Sequence, residues 1–109
     1  MPISDYFAAT YDEARTKFIE AASSKGATMN SYELPSIKGP RGESLTTDVA
    51  KIGDDSAENV LLIISGTHGV EGYAGSGCQV GLLQDEVFKE FPKNTSIVLI
   101  HSLNPYGFA

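Results

Sequence analysis

Apolar positions along the chain change period several times, and each change marks an element. Phe7, Tyr11, Ala14, Phe18 and Ala21 recur at helical spacing, with Asp12, Glu13, Lys17 and Glu20 off that stripe. The spacing predicts an amphipathic helix from about Thr10 to Lys25, its aromatic stripe packed in the core. Thr10 and Glu13 form a capping box at its start. Gly26 suits its end, and Ser4 suits the cap of a preceding turn. Thr28 to Leu34 then alternates as a strand. Pro35 to Glu43, with two prolines and two glycines, reads as a loop. Leu45 to Ile52 reads as a second strand, with Leu45, Val49 and Ile52 as its main apolar residues.

The pattern changes again at Val60. Val60, Leu61, Leu62, Ile63 and Ile64 are continuously apolar and largely β-branched, which predicts a strand over Val60–Ser65 buried on both faces. The turn before it, Gly53 to Ser56, is short and favours antiparallel pairing with Leu45–Ile52. After the strand come Gly66, His68, Gly69, Glu71 and Gly72. An amphipathic helix of about four turns begins near Gly75 and carries Gln79, Val80, Leu82, Leu83, Val87 and Phe88. Pro92 and Asn94 mark its exit. Ser96 to His101 is a further apolar strand, so Val60 to His101 forms a strand–helix–strand crossover with parallel strands. The predicted fold class is therefore α/β, a mixed sheet of about four strands flanked by helices. The last strand is placed near a sheet edge, where its apolar surface would favour self-association through Ser96–His101.

Composition narrows the function classes. A chain of 109 residues is at most one domain. Its formal charge of -6 argues against nucleic acid and anionic lipid as partners. Cys78, the single cysteine, rules out an internal disulfide and fits a reducing compartment. Its helical position among apolar neighbours predicts a buried, inert thiol. The start has neither a basic segment nor an apolar one of signal-peptide type, and no apolar run could span a bilayer. A cytoplasmic location is expected.

The chemistry concentrates at the bend. Ligands of open α/β sheets bind beyond the carboxyl ends of strands, and His68 and Glu71 lie there. An imidazole and a carboxylate three residues apart can turn toward one point and suit Zn²⁺. Gly69 and Gly72 would permit an unusual turn and close approach of a substrate. The spacing alone leaves rivals open. His68 could be a loop histidine, and Glu71 a charge favoured by the helix dipole. Alternatively, the glycine-rich amides could cradle an anion. Neither the G-x-x-x-x-G-K-[ST] nor the G-x-G-x-x-G phosphate pattern follows the strand. Ser65 and Ser76 read as structural. His101 reads as a hydrogen-bonding or core histidine, with a role toward a ligand left open.

SGTHGVEGYAGSG together with HSLNPYGFA resembles the DUF2817 group of zinc carboxypeptidase-like proteins, within the broader M14 metallocarboxypeptidase fold. The resemblance extends over YDEARTKFIEAA, GPRGESLTTDVAKIG and the strand before the bend. It implies that His68 and Glu71 bind Zn²⁺, and that Asn104, Tyr106 and Gly107 belong to a loop shaping the substrate site. It also implies a later histidine ligand, a later glutamate as general base, and arginines that hold a substrate carboxylate. None of these can be assigned within the 109 residues.

Two readings follow. The first is the N-terminal part of a larger zinc metallopeptidase domain of the carboxypeptidase type. It would act on a peptide or other amide, and these residues alone would be inactive. The second is a non-catalytic α/β module that binds a small anion or a protein partner at the glycine-rich loop.

Overall fold

The structure, a computed structural model, describes residues 2–85 and 93–109. Predicted helix residues Val87 and Phe88, and the predicted exit at Pro92, lie outside the described residues. A 3-10 turn, Ile3–Tyr6, leads to helix α1, Tyr11–Ser24. Strands β1, Thr28–Lys38, and β2, Ser44–Ile52, form an antiparallel hairpin. Strand β3, Asn59–Ile64, is followed by helix α2, Gly72–Gln84, and then by strand β4, Thr95–His101. A single-turn helix α3, Pro105–Phe108, follows.

The N-terminal signals act largely as their chemistry requires. The Thr10 hydroxyl accepts the Glu13 amide at 3.2 Å, while the Glu13 carboxylate accepts the Ala9 amide at 3.0 Å, one residue earlier than in the usual capping box. Gly26, at φ +73°, closes α1 in the left-handed conformation that glycine adopts without a side-chain penalty. Ser4, by contrast, lies inside the 3-10 turn and caps nothing. Phe7 leaves the predicted stripe and packs on Gly77, where a Cβ would meet its ring.

The described sheet has the order β1-β2-β4-β3. β3 and β4 pair in parallel and the sheet is mixed, as the crossover predicts. The predicted pairing of β2 with β3 does not form, because β4 lies between them and pairs antiparallel with β2. Residues 53–58 can bridge that gap, since two strand spacings amount to about 10 Å and six extended residues reach about 20 Å. Ser96–His101 is therefore an interior strand, and β3 is at the edge. The predicted loop Pro35–Glu43 is partly strand as well. β1 runs on to Lys38 through an irregularity in which Ser36 takes φ +64°.

Both long helices pack on one face. Phe18, Ala21 and Ala22 of α1 and Val80 and Leu83 of α2 close over Ala50, Ile97 and Leu99. Glycines in α2 allow close approach: a Cβ on Gly75 would lie 2.9 Å from the Ser65 side chain. The covered face also holds polar anchors. The Tyr11 hydroxyl donates to the Thr46 carbonyl at 2.6 Å and accepts the Thr46 amide at 2.8 Å. Asp48, on the same face as Ala50, is fully buried and receives Arg15 Nε at 2.7 Å and the Ser31 hydroxyl. Leu45 is buried beside Tyr11, whereas Val49 and Ile52 are half-buried.

The other face and the edge stay open. Val60 and Leu62 of β3 are 59% and 52% exposed, and Leu61, Ile64 and Tyr32 are exposed too. This reverses the expectation that Val60–Ser65 is buried on both faces, although Ser65 itself is buried. A continuous apolar run signals burial only where another layer covers the strand. Cys78 is also exposed, because α2 turns Ser76, Gln79, Val80 and Leu83 inward and leaves position 78 outward. Among the described residues, no helix is long and apolar enough to cross a membrane.

Candidate metal centre

The parallel pairing of β3 and β4 brings their carboxyl ends, and the loops beyond them, to one edge. The two loops are zipped together by the backbone. Leu103 donates to the Ser65 carbonyl at 2.9 Å, and Asn104 donates to the Gly66 carbonyl at 2.7 Å. Gly66 makes the turn at φ +66° with a Ser102 Cα at 2.9 Å from where its Cβ would lie. Ser102 is itself left-handed at φ +63°, an unusual state for a residue with a side chain. Its amide donates to Ser65 Oγ at 3.1 Å, and its carbonyl accepts the Thr47 hydroxyl at 2.7 Å. Ser65 thus has the structural role its sequence context suggests.

His68 and Glu71 face each other on this loop. The Glu71 carboxylate folds back so that Oε2 accepts the His68 amide at 2.7 Å and Oε1 accepts the Gly69 amide at 2.8 Å. Those bonds, the His68 amide first, hold the Glu71 carboxyl below the ordinary carboxylate pKa. His68 Nδ1 lies 3.3 Å from Glu71 Oε2, and both side chains are solvent-accessible. Two ligand atoms about 2.0–2.1 Å from one tetrahedral zinc stand roughly 3.3–3.4 Å apart. The pair therefore fits two corners of a zinc site. Each Glu71 oxygen keeps a lone pair beyond its backbone bond. Among the described residues, no third His, Cys, Asp or Glu joins them.

The loop after β4 reaches the same place. Asn104 Nδ2 donates to the His68 carbonyl at 2.7 Å, and Asn104 Oδ1 accepts the Gly107 amide at 3.0 Å. Gly107 is pressed against His68, since a Cβ there would lie 2.2 Å from the His68 carbonyl oxygen. Tyr106 points outward, 67% exposed, on an open cleft of about 500 Å³ lined by Lys38, Gly39, Pro40, Tyr106, Gly107 and Ala109. Gly72 serves packing and leaves no room for a substrate. It lies in the first turn of α2, which starts ahead of the predicted Gly75, and its missing Cβ makes way for the Phe108 ring. Phe108 also contacts Tyr73, with ring centroids 4.5 Å apart. Neither Ser102 nor Phe108 announces its part in the sequence; each depends on contacts with the other loop.

His101 takes no part at this surface. It is fully buried, stacks on Phe18 with centroids 4.6 Å apart, and places Nε2 2.8 Å from the Ser76 hydroxyl. Burial pushes its pKa down to about 4, against an upward pull from Asp48 and with a further downward push from Arg15. It is the core histidine of the two, and Ser76 is its buried partner. A second cleft, of about 340 Å³, lies away from the loops among Asp5, Lys17, Glu20, Val80 and Gln84. Its one cation, Lys17, is already held by the carbonyls of Asp5 and Phe7 at 2.8 and 2.7 Å.

Comparison with known proteins places these features. The DUF2817 family model, described as a protein of unknown function, matches residues 7–109. No curated protein matches the chain. Among solved structures, glutaminyl cyclase from Fimbriiglobus ruber superposes with a TM-score of 0.58 at 12% identity, covering 90% of this chain and 40% of that one. Cytosol aminopeptidase from Coxiella burnetii superposes with a TM-score of 0.52 at 14% identity, covering 92% of this chain and 27% of that one. At these identities the likeness concerns the fold. The chain spans less than half the length of either protein.

Proposed function

The chain belongs to the DUF2817 family, and from that premise and the loop geometry we propose that it is part of a zinc-dependent hydrolase of peptide or other amide bonds, of the carboxypeptidase type. The observation that carries this reading is the 3.3 Å approach of His68 Nδ1 to Glu71 Oε2 on a loop beyond a parallel strand. Those two residues would hold the metal. Zinc bound there would supply Lewis-acid polarisation of a carbonyl and a water of lowered pKa. Glu71 keeps the metal-facing loop in shape through its two backbone bonds, and its depressed pKa keeps it anionic at neutral pH. Tyr106 and the cleft beside it offer a surface for a substrate. The fold shared with an aminopeptidase and a glutaminyl cyclase agrees with this reading.

The anion-binding alternative is disfavoured by the same contacts. The amides of His68 and Gly69, which an anion would need, already bind the Glu71 carboxylate. Self-association would take place at β3, whose edge and apolar side chains are open, and not at Ser96–His101.

Calorimetric titration with zinc tests the assignment. Two protein ligands should give weak binding, lost in both His68→Ala and Glu71→Ala. Identical isotherms for the three proteins would refute the site. Among the described residues no third His, Cys, Asp or Glu joins the pair, and a peptide-hydrolysis assay on these residues should show no turnover.

A further inference from the structure

We propose that Asn104 is a positioning residue that holds the His68 ligand in place, and not a residue that contacts substrate. The proposal rests on His68 and Glu71 being metal ligands. His68 sits on an exposed loop, where a side chain needs its backbone fixed if it is to meet a metal without loss of geometry. Both of its backbone polar groups are held. Glu71 takes the amide at 2.7 Å, and the Asn104 amide takes the carbonyl at 2.7 Å.

Asn104 is in turn fixed from three directions. Its own amide donates to the Gly66 carbonyl, its side-chain oxygen caps the Gly107 amide, and Pro105 follows it. Its side-chain donor therefore has one orientation, toward His68. Gly107 completes the clamp, since any side chain there would collide with the carbonyl that Asn104 binds. The loop after β4 thus braces the loop after β3, and one amide carries that contact directly to the ligand residue.

The test separates the donor from the cap. Asn104→Asp keeps the oxygen that accepts from Gly107 and replaces the NH₂ that donates to His68. Gly107→Ala retains the Asn104 side chain but places a Cβ against both the His68 carbonyl and the Asn104 amide nitrogen, and so pries the two apart. Zinc titration, thermal melting and amide exchange of the metal-free protein would be measured on both, beside the parent and His68→Ala. Zinc affinity is expected to fall about tenfold or more in both variants, the range for lost outer partners of a ligand. Amide exchange at His68 and Gly69 is expected to accelerate while the Asn104→Asp melting curve stays near that of the parent. An Asn104→Asp protein with parental zinc affinity would overturn the proposal, as would a Gly107→Ala protein with parental affinity if the first variant did not fold. Parental affinity in His68→Ala would instead remove the ligand reading itself, with faster exchange in Asn104→Asp still reporting the brace on the loop.

Discussion

The two histidines of the chain follow the two parallel strands and end in opposite environments. His101 is the last residue of β4 and still obeys the strand's alternation, which turns it toward the helices. It is fully buried between Phe18 and Phe108. His68 lies beyond the end of β3, past the Gly66 turn, and its side chain is 86% exposed. One becomes a neutral core group, the other an exposed side chain facing a carboxylate. Position relative to the strand end decides the chemistry, more than residue type does. Phe108 joins the two regions, since its ring packs on Gly72 beside Glu71 and also lies near His101.

The sharpest way to break this comparison is to truncate each histidine. His101→Ala removes a buried ring and leaves the Ser76 hydroxyl without its partner, so it should cost about 3–4 kcal/mol. His68→Ala should stay within about 0.5 kcal/mol of the parent, as an exposed loop substitution. Urea denaturation measures both, and equal losses would erase the distinction.

The pH dependence of stability sharpens it further. His101 has a folded pKa of about 4 against an ordinary 6.5. Between these values the unfolded chain binds the proton and the folded one does not. Stability is therefore full above about pH 6.5, falls as pH drops toward 4, and loses about 3 kcal/mol across that window. His101→Gln should flatten the slope. Denaturation midpoints at several pH values would check this.

The smallest effect on stability concerns the face opposite His101. Leu62→Lys places a charge on the open side of β3, where Leu62 is exposed. Unfolding free energy should change by no more than about 0.5 kcal/mol. Light scattering at high concentration should show less association than in the parent. An unchanged apparent mass would place any association elsewhere.

Much of this architecture was legible from local chemistry. The 3.6-residue stripe and the Thr10 and Gly26 signals delimit α1 closely. The strand–helix–strand rule makes β3 and β4 parallel, and the bend beyond β3 marks the loop that brings His68 and Glu71 together. Those features depend on neighbours a few residues away or on a chirality rule. The burial of β3, the fate of Cys78 and the pairing of β2 were not legible, because each depends on which other layer or strand lies alongside. Local pattern is enough to put His68 and Glu71 on one loop at a strand's carboxyl end. The insertion of β4 between β2 and β3 emerges only when the strands assemble. That placement carries Asn104 and Gly107 onto the His68 carbonyl, a contact between residues 36 apart in the chain that no local pattern encodes.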